Sequence, residues 1–179
     1  MKYPSWKDFE SKYPDYQEIA FEALARMLFR CRYELGDSLP YFKNHAGNET
    51  ETIVVDGEEI GFQAKYFDNE INASLIEHSI KTAHNNHPSQ SKMIVYTNLE
   101  FGNPRKRGET KTEKQKNIEQ VAKDCSIQLE WMYGDNILDA VLKNELAYDV
   151  FFNSESNLQH IREDLSAYNN SQLDYKKTK

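Results

Sequence analysis

Four positions in one short stretch have the residue types that phosphate chemistry needs. Glu49 and Glu51 flank the start of a β-prone run, Thr50 to Val55, which reaches the turn pair Asp56-Gly57. The chain then returns as a second strand, Glu59 to Phe67, carrying Gln63 and Lys65. An Asp-Gly pair between two such runs is a hairpin signal. Side chains alternate along a strand, so Gln63 and Lys65 leave one face while Ile60, Phe62, Ala64 and Tyr66 leave the other. Glu49 and Glu51 share parity, and either could reach the Gln63–Lys65 face if the register allows. Hydrolysis of a phosphodiester with a divalent cation needs carboxylates to hold the ion, and gains from a positive charge near the attacking water or the developing phosphorane. An acid followed by a polar-x-Lys strand supplies these parts. The plainer alternative is a surface strand whose Gln and Lys merely face solvent.

Such a hairpin needs a scaffold. Upstream, Asp15 to Arg32 reads as a helix with Ile19, Ala20, Ala23, Leu24, Met27 and Leu28 as its core stripe. Glu18 and Glu22 lie four apart and share the face beside that stripe. Gly36 to Asn48 reads as loop. Downstream, a helix over about Asn72 to Asn85 turns Leu75, Ile76, Ile80 and Ala83 inward and stops before Pro88. Met93 to Tyr96 is a short apolar run of the kind a buried parallel strand shows. A helix from about Thr112 to Asp124, a strand from Ser126 to Tyr133 and a short helix from Asn136 to Leu142 follow. This order predicts an α/β sandwich around a mixed sheet.

At 179 residues the chain suits a single domain, and no apolar run approaches the length of a membrane span. Cys31 and Cys125 are the only cysteines, which argues against a disulfide framework or a cysteine-built zinc site and points to the cytoplasm. A net charge of −7 argues against a protein that coats nucleic acid. The charge is nevertheless segregated: Arg105, Lys106, Arg107, Lys111, Lys114 and Lys116 face only Glu109 and Glu113 within Pro104 to Lys116. That segment is where a polyanion would be expected to touch, unless it is simply a solvated loop and helix face.

Gly47-Asn48-Glu49 followed by Gly61-Phe62-Gln63-Ala64-Lys65-Tyr66-Phe67 resembles the Mrr-type, restriction-endonuclease-like branch of the PD-(D/E)XK nucleases, in which Gln commonly replaces the second acid of the motif. It is most similar to the nuclease domains at the N-terminus of bacterial anti-phage NTPases of the STAND class. The likeness runs over about residues 17 to 135. It includes Phe21-Glu22, Ile94 to Asn98, Lys111-Thr112 with Gln115, and Leu129-Glu130-Trp131. The resemblance implies a restriction-endonuclease-like α/β/α sandwich. It also implies that Glu49 ligates a metal, that Gln63 completes the site through its carbonyl oxygen, and that Lys65 orients water or stabilises the transition state. Glu22 would supply an outer or second ligand. Asn48 stands where the family usually has an apolar residue, which keeps Glu51 in play as the acid. Mg²⁺, or Mn²⁺ in its place, suits an oxygen-only set with a neutral Gln.

The function expected on this basis is a DNA endonuclease acting on double-stranded DNA, with Arg105, Lys106, Arg107, Lys111 and Lys114 on the phosphates. It would serve as an anti-phage or restriction effector gated by homo-oligomerisation or by a downstream sensor or NTPase domain. The alternative is a nuclease-fold module that has lost catalysis and binds DNA or protein. Residues 1–150 form the expected nuclease domain. Beyond it, Leu158, Ile161, Leu165 and Tyr168 form an amphipathic stripe ahead of a polar tail, within 151–179. His84 and His87 are expected in helix-end or loop roles, and His45 in the loop before the motif. Trp6 and Tyr3 are expected to pack on the core, and no phosphate-binding P-loop occurs.

Overall fold

The computed structural model describes residues 2–35, 47–104 and 108–153. In chain order the elements are α1 (Trp6–Lys12), α2 (Gln17–Arg32), β1 (Ile53–Val55), β2 (Glu58–Lys65), α3 (Ala73–Asn86), β3 (Gln90–Thr97), α4 (Glu113–Asp124), β4 (Gln128–Tyr133), α5 (Asp135–Leu142) and α6 (Glu145–Phe151). The four strands form one mixed sheet in sequence order, β1 antiparallel to β2 and β2, β3 and β4 parallel. Met93 to Tyr96 is wholly buried at its centre.

Helices cover both faces, giving the expected α/β/α sandwich. On one face Phe62, Ala64, Ile94 and Tyr96 meet Phe21, Leu24, Leu28 and Phe29 of α2, with α1, α5 and α6 around them. On the other, Met93 and Val95 meet Ile76, Ile80 and Ala83 of α3 and Ile118 and Ala122 of α4. Burial of these side chains is the main driving force, at roughly 25 cal/mol per Å² of apolar surface removed from water. The helix starts are set locally: Asn72 accepts from the Ser74 N–H and Thr112 from the Gln115 N–H, satisfying otherwise unpaired donors.

The structure corrects the expected stripes. On α2 the buried row is Ala20, Phe21, Leu24, Ala25, Leu28 and Phe29, whereas Ile19 is exposed. The pattern is rotated by about one residue because Phe29 packs on Phe62 and Phe21 packs on Trp6 and Tyr66. On α3 Leu75 is exposed and Ser79 takes its place inward, its hydroxyl donating to the Leu75 carbonyl. The first hairpin strand shortens to Ile53–Val55, with Thr50 an isolated bridge. α1 and α6 were not foreseen. They pack together through the Lys12 ammonium, which donates to the Val150 and Asn153 carbonyls at 2.8 and 2.7 Å. α6 runs through residue 151, and Phe151 and Phe152 are core residues, so the packed unit extends past residue 150. Trp6 packs against Phe9, Phe21 and Phe152, while Tyr3 is exposed and donates to Asp139. His45, the amphipathic stripe and the polar tail lie outside the described residues.

Candidate active site

Glu49 lies on the edge of β2 beyond the short β1, its backbone N–H donating to the Phe62 carbonyl at 3.0 Å. Two glycines admit it there. Gly47 has φ +81°, and a Cβ on it would stand 2.1 Å from the Ala83 nitrogen of α3. A Cβ on Gly61 would stand 2.2 Å from Asn48 Oδ1. The space above Gly61 is filled by a buried pair of amides: Asn48 Nδ2 donates to Gln90 Oε1 at 2.8 Å, and Gln90 Nε2 returns a bond to Asn48 Oδ1 at 3.3 Å. Asn48 is therefore polar because Gln90, at the start of β3, is there to satisfy it.

The Glu49 carboxylate is buried at the centre of a small cluster. Gln63 Nε2 donates to its Oε1, the Ala64 N–H reaches the same oxygen at 3.3 Å, and Lys65 Nζ stands 3.9 Å away. The alternation read from sequence holds: Phe62 and Ala64 enter the core on the α2 side, and Gln63 is buried beside Val95 on the other face. Just past the strand, Asn98 clamps Phe67 through two 2.8 Å bonds, fixing the C-terminal end of β2 against β3.

Burial pushes the Glu49 carboxyl up to about 7, and the like charge of Glu22 adds to the rise. Lys65 and the bonds from Ala64 and Gln63 pull the other way without cancelling it. Glu22, half-buried in the middle of α2, is thus close enough to couple to Glu49 across the sheet edge. Glu49, Gln63 and Lys65 come together in one place, and Glu22 acts on Glu49 through its charge. Glu51 and Glu18 are exposed.

The described lysines of the basic segment lie elsewhere, around α4. Lys111 pairs with Glu119 at 2.6 Å, and Lys114 with Glu70 at 3.1 Å. Lys116 lies between Glu109 and Glu113. Arg105, Lys106 and Arg107 lie outside the described residues. Sequence reasoning missed Gln90 and Asn98. Each is a buried amide at an end of β3; Asn98 lay within the stretch that carries the resemblance, and Gln90 stands three residues before the apolar run Met93–Tyr96 with nothing in the spacing to mark it.

The donor set suits a hard cation that takes few protein ligands. Among the described residues no three His, Cys, Asp or Glu group to hold a metal, so a cation here would take the Glu49 carboxylate and the Gln63 amide oxygen, with water for the rest of its shell. A carboxyl raised by burial and by a neighbouring carboxylate is one that a bound cation would return to its ionised form. Turning the Gln63 amide over would present its oxygen beside Glu49. The chain matches no family model and no curated protein. Among the described residues no helix is long and apolar enough to cross a membrane.

Proposed function

We propose that the chain is a metal-dependent DNA endonuclease that hydrolyses phosphodiester bonds. Its proposed role is the effector of a bacterial anti-phage or restriction system, acting on double-stranded DNA in the cytoplasm. The observation that carries this reading is the buried Glu49 carboxylate, held by Gln63 and Lys65 on the edge of β2 and coupled to Glu22. Glu49 and the Gln63 carbonyl would hold Mg²⁺ or Mn²⁺, with Glu22 as an outer ligand. The ion would supply Lewis acidity toward the phosphate and lower the pKa of water.

The chain's own residues account for the rest. Lys65 sits on a rigid strand with its ammonium partly exposed, so it can donate to a non-bridging phosphate oxygen or hold the attacking water. The Asn48–Gln90 pair and the Asn98 clamp fix the two chain segments that carry the acid and the cation, so their geometry needs little rearrangement. Activity would be gated by self-association or by an attached sensor or NTPase domain.

A second reading, a nuclease-fold module that binds DNA or protein without cleaving it, is favoured by the lysines around α4, which are paired with glutamates and lie away from Glu49. Cleavage of supercoiled plasmid with Mg²⁺ or Mn²⁺, beside Lys65→Ala and an EDTA control, separates the two. Nicking abolished in both controls supports the nuclease. A mobility shift in EDTA without cleavage under any metal condition supports the binding module.

A further inference from the structure

We propose that β4 is a self-association edge, pairing antiparallel with β4 of a second copy in a register centred on Trp131. The inference is independent of the nuclease reading. Among the described residues β4 bonds through its backbone to β3 alone, and no backbone hydrogen bond reaches Gln128 to Tyr133 from the outer side. An open edge is a template for another strand, and proteins usually blunt it by shortening, lysine, proline or a bulge. The opposite edge is blunted by length, since β1 has three residues. β4 has six, Gln128 to Tyr133, with no lysine or proline among them. Its single charge, Glu130, is already held by Arg32 and by Lys92, the latter at 2.8 Å.

The residue pattern identifies the second copy as the occupant. Leu129 and Trp131 pack toward the α3–α4 side, and Tyr133 joins them through Phe101. Glu130 faces the α2 side, where its partner Arg32 lies at the helix end, and Met132 packs there. A two-fold axis perpendicular to the sheet keeps each face on its own side, so opposed residues must share parity. Centring on Trp131 sets Trp131 opposite Trp131 of the second copy, Leu129 opposite Tyr133, and Glu130 opposite Met132. Aromatic and aliphatic side chains then meet on one face, and no like charges stand directly opposed. Centring on Glu130 would instead oppose two carboxylates. Beside the edge lies a groove of about 600 Å³ between β4 and α4, whose rim carries Lys111, Lys123 and Glu119. Lys111 and Glu119 there are paired with each other, so they set no net charge against a second copy.

Sedimentation velocity on the full chain in EDTA, over a wide concentration range, tests this. A species of twice the 21.0 kDa chain mass is expected to grow with concentration. Trp131→Lys and Trp131→Asp should each weaken association by roughly tenfold or more, with circular dichroism confirming that both are folded. An equimolar mixture of the two should restore the dimer, because position 131 opposes itself only in this register. A wild type that stays monomeric, a dimer that survives both substitutions, or a folded mixture that fails to recover would each overturn the proposal. Amide exchange on the wild type needs no substitution. Protection of alternate β4 amides should rise with protein concentration, and protection that ignores concentration would assign the edge to another segment of the same chain.

Discussion

Two regions of this molecule carry the charged residues expected to meet phosphate, and the fold treats them differently. Around α4, Lys111, Lys114 and Lys116 are exposed or half-exposed, and each stands within salt-bridge distance of a glutamate. Surface pairs of this kind are worth little, typically about 0–1 kcal/mol, and leave little net field. At the edge of β2 the reverse holds. Glu49 is buried beside a second carboxylate, and one partly exposed lysine does not restore its ordinary titration. A fold keeps a destabilising buried charge only if something offsets it, so the unbalanced site is the better marker of function than the charge-rich one.

The strongest challenge to that contrast is catalytic. Lys65→Ala or Glu49→Ala should lower plasmid cleavage by about 10²-fold or more, the scale on which single charge-stabilising groups act. Equal losses from Lys111→Ala in a cleavage assay would reverse the assignment of the two regions.

A second effect reads the site without any substrate. The Glu49 carboxyl titrates near 7 in the folded chain against an ordinary 4.5. Between those values the folded chain keeps a proton that the unfolded chain has lost. Stability from this group is therefore fully present below about 4.5 and is lost as pH rises through 7. Glu49→Gln removes that slope and should raise stability at pH 8 by roughly 1–3 kcal/mol, with little change at pH 4. Thermal melts of both proteins at the two pH values check it. Mg²⁺ should raise the Tm of the wild type at pH 8 and leave that of Glu49→Gln unmoved.

The support beneath the site can be probed separately. Gln90→Leu leaves the buried Asn48 amide without its partner and should cost about 1–3 kcal/mol, read from a urea melt. The double change Asn48→Leu with Gln90→Leu should cost less than Gln90→Leu alone, because no buried amide is then left unpaired.

The smallest effect belongs to the lysines around α4. Lys111→Ala with Lys114→Ala should weaken DNA binding by less than about tenfold at moderate salt, since both lysines already have carboxylate partners. A tenfold or larger loss with a clear reduction in salt dependence would show that DNA displaces those glutamates.

Residue spacing alone determined much of this protein. Period two from Glu59 to Lys65 assigned Phe62 and Ala64 inward and Gln63 and Lys65 to the other face, because alternation along a strand depends only on local geometry. The helix over Gln17–Arg32 and the buried run Met93–Tyr96 were legible for the same reason. What depends on neighbours distant in the chain was not. Whether Ile19 or Phe21 faces the core turns on the space beside Trp6 and Tyr66, and only packing decides that. The seven-residue helices α1 and α6 span about two turns, too few for an apolar period to repeat and stand out, and they form where their aromatic rings find one another. The choice between Glu49 and Glu51 was open by parity. The fold buries Glu49 and leaves Glu51 exposed, through the Asn48–Gln90 pair and the approach of Gly47 to α3, contacts that exist only once β3 and α3 are in place. The raised titration of Glu49 is likewise a tertiary property, since burial and the charge of Glu22 reach it only through the folded chain.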